Sequence, residues 1–193
     1  FDNMRGIATG GNDMRLYANA STAEYTTLSY MKLLPNGFAP EDNTAFNVSG
    51  GTYIYMAIRR GTKVPESGTE VFDTVTYTGD GTNGRQLPSG FVTDMTIGTR
   101  TADPRENEIY ARLTSNKDLE TDSTAAESTG SVYFDTQDGI LVNANFSNYS
   151  GKAQVSWMWK RAPGYFDAVA YRGTGNTTQT KNHNLGVVPE MIW

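Results

Sequence analysis

The chain contains no cysteine and a single histidine, His183. Disulfide staples, thiolate chemistry and cysteine-based zinc sites are thereby excluded, and one imidazole cannot build a His-rich metal site. No stretch approaches the ~18 apolar residues of a membrane-crossing helix. Positive charge is also short, with 16 Lys and Arg against 21 Asp and Glu. A protein that binds nucleic acid by neutralising phosphates needs the opposite balance. No basic amphipathic run offers itself to a membrane surface. Neither nucleic acid nor membrane insertion is therefore expected.

Gly, Thr, Asn, Ser and Asp are abundant, and Tyr is common. That mixture favours short strands joined by tight turns. Without disulfides, such a protein is held by core burial, long-range sheet pairing or assembly.

The chain aligns with itself at a spacing of roughly 100 residues, about the size of a small domain. Phe72-Asp73-Thr74-Val75 and then Tyr77-Thr78-Gly79-Asp80-Gly81 return as Phe166-Asp167-Ala168-Val169 and then Tyr171-Arg172-Gly173-Thr174-Gly175. Leu16 to Glu24 matches Leu119 to Glu127, Asn36-Gly37-Phe38 matches Asp138-Gly139-Ile140, and Ser49-Gly50 matches Ser150-Gly151. Tyr53 to Arg60 matches Gln154 to Arg161, and Gly90, Met95 and Ile97 match Gly186, Met191 and Trp193. The first copy carries the longer insertion, Gly61 to Val71. Insertions confined to Gly-, Pro- and Thr-rich stretches are what surface loops between fixed elements give. Three modules are expected: residues 1–73, entered part-way; 74–169, complete; and 170–193, the start of a third. Both ends read as artificial or proteolytic boundaries; alternatively, the terminal strand of one copy completes the sheet of another.

Period-two alternation dominates. It predicts strands over Thr52–Ile58 and its counterpart Gln154–Arg161, Val71–Tyr77, Tyr165–Tyr171, Phe91–Ile97, Glu108–Leu113, Ser131–Phe134 and Gly139–Asn143. Asn36-Gly37, Asp138-Gly139 and Gly79-Asp80-Gly81 read as turns. Thr22–Leu34 is the best helical window, although its apolar positions do not keep a 3.6-residue period. Many short strands between turns predict an all-β fold of antiparallel β-sandwich or jelly-roll modules in tandem.

The run Trp157-Met158-Trp159-Lys160-Arg161-Ala162-Pro163-Gly164-Tyr165-Phe166-Asp167, then Tyr171-Arg172-Gly173-Thr174-Gly175, then His183-Asn184-Leu185-Gly186-Val187-Val188-Pro189, resembles the tandem-repeat structural and tail-fibre proteins of marine tailed bacteriophages. The resemblance implies concanavalin A-like sandwich modules in a virion appendage, a homo-oligomer with other virion proteins as partners, and no catalytic residues. The His-x-Leu-Gly-x-x-Pro element occurs once; its counterpart, Leu87 to Asp94, lacks both the histidine and the proline of the motif.

Few residues stand out as a site. Trp157 and Trp159 are candidates for stacking on a host-surface glycan, but their even spacing on an apolar strand favours core packing. Asp135 and Asp138 flank a turn and are candidates for calcium, the one cofactor considered; a self-capped turn explains them as well. Glu24 and Glu127 are repeat equivalents, not a positioned pair of hydrolytic acids. His183, between two asparagines, reads as a turn residue. Asn19, Asn47, Asn145, Asn148 and Asn176 stand in Asn-x-Ser/Thr triplets, which chance supplies in this composition. The expectation is a non-enzymatic spacer and host-surface adhesin in a virion. A lectin-like carbohydrate-binding module is the alternative.

Overall fold

The computed structural model describes residues 21–23, 31–34, 37–40, 46–57, 63–101, 103, 107–114, 116–171 and 173–192. Eleven strands are present among them: β1 (Met31–Leu34), β2 (Gly37–Pro40), β3 (Phe72–Thr78), β4 (Arg85–Leu87), β5 (Met95–Arg100), β6 (Glu108–Ala111), β7 (Lys117–Glu120), β8 (Ser128–Thr129), β9 (Val132–Tyr133), β10 (Ile140–Val142) and β11 (Ala153–Trp159). They form a six-stranded sheet in the order β3-β11-β5-β6-β7-β8, a three-stranded sheet β4-β10-β9 and the hairpin β1-β2, and every paired strand is antiparallel. The fold is all-β, as the alternation predicts.

The two larger sheets share one apolar core. Leu87, Val132, Ile140 and Val142 of the three-stranded sheet cluster with Tyr110 and Met158 of the six-stranded sheet and with Phe91 and Phe134 from loops; Val75 and Tyr77 of β3 pack against them. β11 lies between β3 and β5, with Trp157 opposite Thr74 on one side and Ile97 on the other. Short β4, β9 and β10 suffice on the opposite side because turns hold them. Asp138 Oδ1 accepts from the backbone of Ser89 (2.9 Å) and Gly90 (2.7 Å). Gly139 has φ +75° and lies against Leu87, so a side chain there has no room.

Three expectations change. Thr52–Ile58 is not a strand where described: residues 51–57 are exposed and in no sheet, although they match β11. Tyr165–Tyr171 likewise has only an isolated bridge, Phe166 to Ala162. Alternation marks a strand, but a strand needs a neighbour for its backbone groups, and among the described residues neither segment is paired in a ladder. Within the helical window, Met31–Leu34 is strand β1, paired with β2. From Lys63 to Thr69 the insertion is exposed except for half-buried Pro65, and it ends at a 3-10 turn, Gly68–Glu70, before Val71 enters the core. β3 straddles the expected boundary between residues 73 and 74.

Candidate functional site

The inner face of the six-stranded sheet carries the groups whose chemistry departs most from ordinary. Residues opposite one another across a sheet share a face. Met158, Thr96, Tyr110 and Asp118 are therefore on one face, as are Tyr77, Gln154 and Arg100. That face is rich in polar atoms, and a hydrogen-bond chain joins them. The buried Tyr110 hydroxyl donates to the Glu108 carboxylate and accepts from Ser131 N at 3.2 Å. Ser131 Oγ donates to Ser147 Oγ (2.7 Å), and the Tyr77 hydroxyl donates to the Ser147 carbonyl (2.5 Å). Gln154 turns its amide nitrogen to the Tyr77 hydroxyl (2.8 Å) and the same carbonyl (2.7 Å), and its oxygen accepts from Tyr149 N (3.0 Å).

Burial sets the protonation states. It pushes the Glu108 carboxyl up to about 7; the Tyr110 hydroxyl opposes that shift, and the Asp118 and Glu120 carboxylates add to it. Tyr77 is pushed up to about 12 by burial, and Tyr110 further still. A cavity of about 10 Å³ between Tyr77, Val132, Phe146, Ser147, Gln154 and Ser156 has room for one water at most. A substrate-sized group does not fit there. The arrangement holds protons and positions backbone.

Two further knots brace the sheet. Asn148, fully buried, donates to Asp80 Oδ1 and Thr82 O (2.7 Å each) and accepts from Asp80 N (3.1 Å). Thr82, through its hydroxyl first and then its backbone, and Asn148 hold the Asp80 carboxyl down at about 2. At the other end, buried Arg112 donates to Thr93 O (2.7 and 3.0 Å) and Phe134 O (2.7 Å) and faces Asp94 at 3.7 Å. Asp94 Oδ2 accepts from Arg161 N at 2.7 Å. Arg161 pairs with Asp167 at 2.5 Å, and Asp167 accepts from Asn184 N at 2.7 Å. The Arg-Ala-Pro-Gly-Tyr-Phe-Asp run and the His-x-Leu-Gly element thus meet in space; Gly164 N also donates to Leu185 O (2.7 Å).

The sequence candidates fall elsewhere. Alternation favours Val155, Trp157 and Trp159 as the core face of β11, but the core lies on the side of Met158. On that outer face Val155 is buried and Trp157 and Trp159 are half-buried. Trp159 packs on Phe72 (5.1 Å) and stacks on Phe166 (6.1 Å). Trp157 shares that face with Thr74 and Ile97. Asp138 caps its turn, and Asp135 is exposed beside it. No group of three or more His, Asp or Glu suited to a metal occurs among the described residues. His183 is exposed, and its Nδ1 accepts from Leu185 N at 3.3 Å, as in a local turn. Glu127 is exposed; Glu24 lies outside the described residues. Sequence reasoning missed Glu108, Arg112 and Gln154. Glu108 and Gln154 are polar positions in strands that alternate, and Arg112 opens the 3-10 turn Arg112–Thr114 after β6; only those places could have marked them.

Fold and site together define an all-β protein of antiparallel sheets with a hydrogen-bonded polar interior. The chain belongs to the family DUF7483, a domain of unknown function, which matches residues 67–193. No curated protein and no solved structure matches the chain.

Proposed function

We propose that the chain is part of a non-enzymatic virion structural protein, a phage tail fibre or similar appendage. Its modules, 1–73, 74–169 and 170–193, are concanavalin A-like β-sandwiches that act as spacer and host-surface adhesin. The internal repeat carries this reading: the sequence of the two-sheet unit recurs on both sides of it. A core drawn from both larger sheets supports the sandwich. Repetition turns weak surface contacts into avidity, provided several modules engage at once. Immunogold electron microscopy of source particles, with antibody to residues 74–169, tests it. Label along a tail or fibre is expected; label on a cell surface or bacterial filament overturns it.

One observation favours a second reading, a lectin-like module. Trp157 lies on the outer face of the sheet, where an aromatic ring can meet a sugar. Saturable binding on a glycan array, lost in Trp157→Ala with the fold intact, is the result this reading expects. Equal binding by both proteins rules out the tryptophan.

A further inference from the structure

The chain enters and leaves the two-sheet unit at the same place. β3 and β11, with which the unit opens and closes, are antiparallel neighbours, with Phe72 opposite Trp159 and Thr78 opposite Ala153. Just outside that ladder Lys160 N donates to Val71 O at 2.8 Å, and the Phe72 and Trp159 rings lie 5.1 Å apart. Tension carried by the chain on the two sides of the unit therefore pulls Val71 away from Lys160, across the strands and not along them. Backbone bonds of an antiparallel pair lie perpendicular to the strands. Loaded in this direction they break one pair at a time, starting at Phe72. Loaded along the strands, all of them would share the force.

We infer that the two-sheet unit is a mechanical zipper: tension along the chain peels β3 from β11 as far as the Asn148 knot, and relaxation closes it again. The zipper stands on the unit's own geometry; the tandem-module reading supplies the load.

The two sides of the ladder are unequally held. β11 pairs with β5 as well as β3. Asp94 fastens its end, since Asp94 N donates to Trp159 O (2.8 Å) and Asp94 Oδ2 accepts from Arg161 N (2.7 Å). Beyond it, the Arg161–Asp167 pair and the stacking of Phe166 on Trp159 keep the exit against the sheet. Among the described residues β3 pairs with β11 alone. Val71 is buried, but from Phe72 to Thr76 no residue is more than half-buried. Peeling to that point costs little core.

Further on the strand is fastened. The Tyr77 hydroxyl donates to Ser147 O (2.5 Å), Gly79 N to Lys152 O (2.8 Å) and Gly151 N to Gly79 O (2.8 Å). Asn148 then holds Asp80 and Thr82. These bonds tie the far end of β3 to the segment leading into β11, so the zipper has a stop. Freeing Val71 to Thr76 releases about 20 Å of chain, and the matching length of β11 adds as much again, a step of about 40 Å. The unit gives length under load while its two-sheet core stays closed.

The cysteine-free chain lets handles be placed at will. Glu66, Tyr165 and Ala153 are exposed and take them without disturbing the core. Glu66→Cys with Tyr165→Cys pulls across the ladder in an optical trap; Glu66→Cys with Ala153→Cys pulls along it. The first pair should open in a reversible step of about 40 Å, at less than about half the force the second pair needs. Asn148→Ala in the first pair should keep that step and lower the force of the unfolding that follows it. Equal forces in the two directions, or a single all-or-none opening across the ladder, overturns the zipper. The step without particle labelling would leave the zipper standing and the virion role refuted. Labelling without the step would do the reverse.

Discussion

At the scale of single residues, buried polar groups tie segments of this protein that are far apart in sequence. Asn148 is the clearest case. Its amide holds Asp80 and Thr82, and Asn148→Ala leaves those backbone groups short of partners. A loss of about 2–3 kcal/mol is expected from urea unfolding; a loss below about 0.5 kcal/mol would contradict the knot. Glu108 gives a pH signature. Its folded-state carboxyl titrates at about 7 against an ordinary 4.5, with burial as the main cause. Between those values the folded protein keeps a proton that the unfolded chain has released. The contribution is therefore full below about pH 4.5 and is lost as pH rises through about 7. Glu108→Gln should flatten that part of the stability curve, read as thermal midpoints at about pH 5 and about pH 8; an unchanged slope would refute the buried neutral carboxyl. None of these residues was legible as a site. Asn148 reads as a chance triplet, and Glu108 as one polar position in an alternating strand. Their roles depend on Ser131, Ser147 and Asp80, which sequence spacing does not bring together.

Among the elements, several strands that pair were legible, β1 was read as part of a helical window, and two segments read as strands do not pair in a ladder. β3, β6, β9, β10 and β11 fall where alternation puts them, because a sheet with one buried face imposes period two. β4 (Arg-Gln-Leu) and β7 (Lys-Asp-Leu-Glu) each hold a single apolar residue, which leaves no alternation to register. For β11 the period was clear and its sign was not. Trp157 and Trp159 look like core, yet the face toward the other sheet takes Gln154, Ser156 and Met158. Bulk alone does not say which face is covered. Turns allow a sharper test. At Gly139 a Cβ would meet Leu87 O at 1.8 Å, whereas at Gly84, also at positive φ, it would meet nothing. Gly84→Ala should cost about 1 kcal/mol. Gly139→Ala should cost more than about 3 kcal/mol or prevent folding, since Leu87 must move out of the core. Equal costs by chemical denaturation would contradict the turn geometry.

For the whole molecule, the repeat was the most legible feature of the sequence. Residues 51–57 match β11 and yet are exposed, while the paired sheets lie between Val71 and Ala162. Hydrogen exchange read by mass spectrometry tests this arrangement most directly. Strong protection is expected over β3, β5 and β11, with fast exchange in residues 51–57. Fast exchange over β11, or protection of residues 51–57 equal to that of β11, would contradict a unit built on the two larger sheets.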